Sequence, residues 1–438
     1  MDARRRGASF DVAPVAFALA IKAGIGAWVL HAGFTHVSDD DYARVVIAEA
    51  FAHAPKLDPS GTSWLPFPFW LNGLAMMAFG RSLDVAGTVA FVLGTVAVAA
   101  PYAAMRAVGC RRFTAWIAVA VAMATPWNAW LGVATVPEAM TACLIAAGAI
   151  AVTAPRARVV AAVGLLAAAL SRYEAWPVCG VFAIACVVDR RGAPRGKALA
   201  IGLAIAGPLA WMAWNAYAHG SALHFLDRVA AYRQAIGAAP TSLFTRLTTF
   251  PVAVASAAPA VAGCTAVGAA ALAFDAQVRA RWAWPLASAI AILAFLVVGD
   301  LRDGAPTHHP ERAVIPITWI LAAFAADALV TLTRRIAPAR ASQRVLIANA
   351  VAIAVIGWCL MLPGRWANHP ASSASESRDA QIARGLVLQA QPPSHVTVTP
   401  CDYEHFALIA AFGAPERVEI VPATHEPVTP ACPRVELH

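Results

Sequence analysis

The feature that most constrains this chain is a series of apolar blocks, each about as long as a bilayer is thick. They fall at about 11–33, 85–105, 113–131, 136–153, 157–171, 174–188, 198–218, 250–273, 283–299, 312–331 and 344–363. A bilayer core of about 30 Å takes roughly twenty apolar residues in a helix. In hydrocarbon every backbone N–H and C=O must be paired, so such blocks read as helices. The expectation is an all-α polytopic membrane protein with about eleven transmembrane helices. Composition agrees, because 60% of the 438 residues are hydrophobic and 13% are charged, whereas soluble domains carry about 25% charged residues. The first block follows a basic start, Met1 to Arg6. It is too long for the apolar core of a signal peptide and reads as an uncleaved span. Lys22 inside it reads first as a lysine facing a neighbouring helix or a wet cavity.

The net charge of +8 needs no nucleic-acid partner to explain it. Apart from Lys22, Lys56 and Lys197 the basic residues are arginines, and they gather between apolar blocks. If the spans alternate, Arg4–Arg6, Arg106, Arg111, Arg112, Arg156, Arg158, Arg190, Arg191, Arg195, Lys197, Arg279, Arg281, Arg334, Arg335, Arg340 and Arg344 share one side. Only Asp2, Asp189 and Asp275 stand with them. This is the positive-inside pattern. It places the N-terminus in the cytoplasm of a multi-pass protein of a plasma or bacterial inner membrane. The loop 34–84, the segments near 132–135, 172–174, 219–249 and 300–311, and the tail 364–438 then lie outside. The domain division expected is a membrane domain, 1–363, and an extracytoplasmic tail, 364–438.

The outer loop 34–84 is large. Asp39, Asp40 and Asp41 open a short amphipathic helix, a loop with Lys56, Asp58 and Ser-Gly-Thr follows, and Trp64 to Trp70 forms an aromatic, proline-rich return. Pro68 to Gly80 is apolar but short, and is expected to lie along the interface. His224, Asp227, Arg228, Tyr232 and Arg233 fall at near-helical spacing and predict a second surface helix. The block 157–171 is too short to cross fully and meets a charged break at Ser171 to Glu174. In the tail a Ser-rich linker, Ser372 to Ser377, leads to a predicted strand at His395–Thr399, a helix over Asp402–Phe412 and a strand at Arg417–Val421. That order is a small β-α-β unit. Cys401 and Cys432 lie in this polar tail and are expected to pair, since an exported tail meets an oxidising compartment.

Four clusters carry polar chemistry, each with a plain reading beside the functional one. Ser38 is a good helix cap, and carboxylates in a first turn suit the helix dipole. Three adjacent carboxylates also repel one another and raise at least one pKa, which makes a general base. Helical spacing puts Val37, Asp40, Asp41, Arg44, Val45 and Ala48 on one side, with Asp39 turned away or capping. Asp40 is the first choice for the base. Glu138 opens the fourth block after Pro137, an ordinary helix start or a second acid. Arg172, Tyr173 and Glu174 read as an internal ion pair or as part of a cavity. His308 and His309 are adjacent, but no ligand spacing supports a metal. Arg312, after them, is suited to holding a phosphate through paired N–H donors; Lys56 is a second candidate, or a solvated loop lysine.

These motifs, in this order, resemble the type C glycosyltransferases over about residues 10–335. That group includes the dolichyl-phosphate-mannose protein mannosyltransferases and the lipid A aminoarabinose transferases. The resemblance is carried by Asp39-Asp40-Asp41-Tyr42, the aromatic-proline return ending at Phe79-Gly80, Glu138, and His309-Pro310-Glu311-Arg312-Ala313. The chain departs from the family in an all-aspartate acidic motif and in lacking the tyrosine after Arg312. The resemblance implies a GT-C fold and a sugar donor carried on polyprenyl phosphate, with a lipid, glycan or protein acceptor. It implies catalytic roles among Asp39, Asp40, Asp41 and Glu138. Donor-phosphate contacts fall to Arg312, Arg172, His309 and Lys56, and the cavity lining to Tyr42, Trp64, Tyr173 and Glu174. Members differ in their need for a divalent cation, so no cofactor is assigned. The alternative class is a transporter or flippase, but polar residues crowd one face and no paired halves with matching breaks are visible.

Overall fold

The computed structural model describes residues 12–235, 242–304, 309–336, 358, 361–369, 375–401, 405–422 and 432–437. Among them the chain is helical apart from one three-stranded sheet in the tail. Five helices are long and apolar enough to cross a membrane: Val12–His31, Leu83–Ala107, Pro194–His219, Ala276–Leu301 and Pro310–Thr333. The pair Leu243–Ala257 and Pro259–Phe274, bent by 96° at its break, makes a sixth if it is one span. Pro259 causes the bend, since it has no N–H to give and its ring crowds the preceding turn.

Four other blocks, among them 157–171 as expected, form helices too short to cross the core. Those at 113–131, 136–153, 157–171 and 174–188 become Arg112–Met123, Glu138–Ala151, Arg158–Ala169 and Ala175–Val188, each of 12 to 14 residues. At 1.5 Å per residue they reach about 18–21 Å, less than the ~30 Å core. Local breakers set their ends. Pro126 divides the block 113–131 and starts a second helix, Pro126–Leu131. The 157–171 block ends, as expected, in a turn that carries Arg172 and Glu174. The surface helix forms as His224–Ala235, while the side chains of Tyr232 and Arg233 and most of the block 344–363 lie outside the described residues.

The chain packs as two compact units. The first comprises Met1–Ile25, Thr95–Ala129 and Glu138–Leu362. Its core helix is Pro310–Ile336, against which Pro259–Gly268, Arg112–Met123, Leu243–Ala257 and Glu138–Ala151 pack. The packing is close because small residues face large ones: a Cβ on Gly148 would lie 2.5 Å from Leu165. Large apolar residues such as Phe17, Leu209, Val252 and Ile290 are exposed while Arg158, Glu138 and Asp327 are buried. A soluble protein does not expose apolar surface on this scale, whereas a lipid-facing one does.

The second unit comprises Gly26–Gly94, Trp130–Pro137 and Pro363–His438. Here the loop helices Asp40–His53 and Phe67–Phe79 lie side by side, and Gly73 admits the Phe51 ring. The tail supplies the helix Ser375–Ala390, β1 Val396–Thr399, the helix Phe406–Phe412, β2 Val418–Ile420 and β3 Arg434–Leu437. β1 pairs parallel with β2, which is the expected β-α-β unit. β3 is an addition, antiparallel to β1 on its other edge. Val396, Val398, Leu408, Ile409 and Phe412 fill the space between sheet and helices. A disulfide joins Cys401 to Cys432. Tyr42, Val45 and Ala48 of the acid-bearing helix pack against Ala407 and Ala410 of the tail.

Candidate active site

In the first unit the candidates converge on one carboxylate. Glu138 begins its helix and is 2% exposed. Its Oε1 accepts from Arg312 Nε at 3.0 Å and Nη2 at 2.6 Å, and from Arg172 Nη1 at 2.7 Å. Arg172 also donates from Nη2 to Glu174 Oε1 at 2.5 Å and from Nε to both Glu174 oxygens. The result is a chain, Arg312–Glu138–Arg172–Glu174, with no net charge. Burying these charges costs several kcal/mol each unless they pair with good geometry. Here the pairs are made by guanidinium forks, which hold both planar groups in fixed directions. His309 precedes Arg312 in a left-handed backbone conformation, φ 60°, and its ring lies 5.6 Å from Trp127. Tyr173 stacks on Phe225 at 4.5 Å, meets Trp176 edge-on at 5.1 Å and accepts from Trp211 Nε1 at 3.1 Å. The surface helix His224–Ala235 is thus docked through Phe225, which is 4% exposed.

In the second unit the three aspartates have separate environments. Asp41 is 2% exposed. Its Oδ2 accepts from the backbone N–H of Val37 at 3.1 Å and of Ser38 at 3.2 Å. Its Oδ1 accepts from Thr135 N–H at 3.1 Å, and Thr135 Oγ1 donates to its backbone carbonyl at 2.9 Å. Asp41 therefore ties the turn before this helix to its first turn, while the cap residue Asp39 makes no side-chain cap bond. Asp39 is held by both Nε and Nη2 of Arg378, each at 2.7 Å, from the tail helix. Asp40 is half-buried. Of the predicted face, Val37, Asp41, Arg44, Val45 and Ala48 are buried, but so are Tyr42, Ala43, Glu49 and Phe51, so burial is not confined to one side of this helix.

Beside the triplet, Tyr42 is 4% exposed and its hydroxyl lies 3.2 Å from His36 Nδ1. Burial pushes the Tyr42 hydroxyl above its ordinary range. Burial also pushes the His36 imidazole down to about 4, against an opposing pull from Asp39, so it is neutral at pH 7. Trp64 lies under the Arg44 guanidinium, 4.4 Å from its carbon to the ring centroid. Lys56 is exposed and makes no hydrogen bond or ion pair among the described residues. Among the described residues no three His, Cys, Asp or Glu side chains come together as a metal site.

Sequence reasoning missed Arg378, Thr135 as an anchor for Asp41, and Phe225. None has a local signature, because each acts on a residue distant in sequence. It also missed Glu49, which is fully buried with no hydrogen-bond partner for either carboxyl oxygen. Burial raises its pKa well above the ordinary 4.5, with Arg81 opposing. A lone glutamate among alanines in an amphipathic helix carried no sign of this.

No family model and no curated protein matches this chain. Among solved structures, ArnT from Cupriavidus metallidurans bound to undecaprenyl phosphate is similar over 94% of this chain and 90% of that one, at TM-score 0.58 and 15% identity. The apo state of ArnT from the same organism is similar over 94% and 89%, at TM-score 0.55 and 17% identity. The chain has an ArnT-like fold, and the resemblance to the type C glycosyltransferases holds at the level of fold.

Proposed function

We propose that the chain is an integral membrane glycosyltransferase. It moves a sugar from a polyprenyl-phosphate donor to an acceptor hydroxyl or amine on the extracytoplasmic face. The observation that carries this reading is the convergence of Arg172 and Arg312 on one buried carboxylate oxygen. It supports the reading because two oriented guanidinium groups are the preferred partner for a phosphate. The fold adds support, since the similar ArnT structure was solved with undecaprenyl phosphate.

The reaction divides among these residues. Arg172 and Arg312, with His309 beside them and Lys56 as a further contact, engage the donor phosphate. A carboxylate of the triplet takes the acceptor proton, and Asp40 is the first choice. The acceptor atom then attacks the anomeric carbon. The bond from that carbon to the phosphate oxygen breaks, and polyprenyl phosphate leaves with the electron pair. The arginines stabilise its growing charge. Glu138 holds the guanidinium groups before the donor arrives; Tyr173 and Glu174 line the donor side, and Tyr42 and Trp64 flank the acidic triplet.

Purified protein in lipid nanodiscs, given polyprenyl-phosphate sugars, should release or transfer sugar detectable by mass spectrometry. Arg172→Lys and Arg312→Lys keep the charge but lose the fork, so the donor KM should rise about tenfold or more. Unchanged donor affinity in both variants defeats the assignment. Absence of any transfer, with lipid movement across the bilayer instead, favours a flippase.

A further inference from the structure

The first unit contains a cavity of about 290 Å³ that the proposed reaction does not use. Its wall includes Arg111, Asp275, Gln277, Arg281 and Asp327. Asp327 follows Arg312 on the same unbroken helix by fifteen residues, about 22 Å along its axis. The cavity is therefore at the far end of the unit from the Glu138 cluster. Its volume is just under the ~300 Å³ at which small-ligand sites begin, room for a headgroup but not for a large cofactor.

The acids on its wall are already committed. Asp327 Oδ2 accepts from Trp282 Nε1 at 2.9 Å and from Arg281 Nη1. Asp275 caps its own helix, accepting from the N–H groups of Gln277 at 2.9 Å and Val278 at 3.1 Å. The donors are not all committed. Arg281 uses only Nη1, so its Nε and Nη2 have no acceptor among the described residues. Arg111 is exposed and its side chain makes no hydrogen bond or ion pair among the described residues. The charged groups left unspent around this polar cavity, beside the Gln277 amide and the Thr114 hydroxyl, are guanidinium N–H donors, which match a multi-oxygen anion. Phe113 and Phe274 stand beside the lining residues in sequence, 70% and 66% exposed. Exposed aromatics next to a basic rim fit a surface that meets lipid.

We propose that this cavity is a second phosphate site, separate from the donor site, and that it takes the headgroup of a phosphate-bearing membrane lipid. Arg281, fixed by Asp327, forms its floor, and Arg111 closes over the phosphate from the rim. Positive-inside topology puts the site in the cytoplasmic leaflet, where anionic lipids concentrate.

The test is native mass spectrometry of the full chain titrated with dioleoyl phosphatidic acid, with dioleoyl phosphatidylcholine as the control lipid. A photoactivatable phosphatidic acid should crosslink to peptides within 106–114 or 275–284. Arg111 is exposed, so Arg111→Ala and Arg111→Glu should fold normally. They should weaken binding tenfold or more and remove that crosslink, while Arg172→Lys keeps it. Displacement by millimolar inorganic phosphate would support the phosphate site and assign its source to the solvent; resistance to it would assign the lipid. Undiminished binding and crosslinking in Arg111→Glu, or crosslinks only elsewhere, would overturn the proposal.

Discussion

Asp40 and Asp41 are neighbours in sequence with different tasks, and amide substitution separates them. Asp41 accepts from three N–H groups and also positions Thr135. An amide there would turn an NH₂ toward one of those donors. Asp41→Asn should therefore lower unfolding stability by about 1–3 kcal/mol, read as a fall in melting temperature. Asp40→Asn should leave melting within about 0.5 kcal/mol and reduce turnover by about 10²–10⁴. Near-wild-type turnover in Asp40→Asn removes it as the base. Glu49 gives a prediction in pH. The unfolded carboxyl titrates near 4.5, while burial holds the folded one well above that. Above pH 4.5 the folded state binds more protons than the unfolded one, so this group erodes stability as pH rises through that window. Glu49→Leu should add about 1–3 kcal/mol near neutral pH and flatten the slope. A denaturation series that shows the same slope in both proteins counts against a buried proton. The individual carboxylates were legible in the sequence. Their partners were not, because Arg378 lies 339 residues from Asp39.

Among elements, close contacts depend on glycine. A Cβ on Gly385 would lie 2.4 Å from the Leu408 carbonyl and 2.6 Å from the Ala411 Cβ, where the tail helix Ser375–Ala390 crosses Phe406–Phe412. Backbone cannot yield there as a flexible side chain can, so Gly385→Ala should cost about 1–3 kcal/mol of stability. A substitution that leaves the melting temperature unchanged would mean that these helices stand further apart. The sheet was legible where alternation marked Val396–Thr399 and Val418–Ile420. β3 was not, because Arg434–Leu437 is short, largely exposed and set by its pairing with β1. Apolar blocks predicted where helices occur, but hydropathy does not record Pro126 or the bend at Pro259. Length was therefore overestimated where a breaker lay inside a block.

For the whole molecule, membrane residence follows from five or six helices of spanning length and from apolar side chains facing outward. The second unit resumes at Pro363, beside the expected boundary, but it also takes in Gly26–Gly94 and Trp130–Pro137, since the tail packs with the acid-bearing loop. Composition cannot report this, because both segments are simply polar relative to the spans. Arg378→Ala should therefore behave as a loop mutation and not as a tail mutation. It leaves Asp39 without its fork, and turnover should fall while the membrane helices keep their circular dichroism. Full turnover in Arg378→Ala would show that the loop orders itself.

The Asp39–Arg378 fork also has a consequence in time. A ribosome adding roughly 5–20 residues per second needs about 17–70 s to pass from Asp39 to its partner 339 residues later. Throughout that interval the acidic loop has been made and its clamp has not. A nascent chain stalled before Arg378 has all three aspartates but cannot yet fasten the loop, so the loop reaches its final form late in biosynthesis.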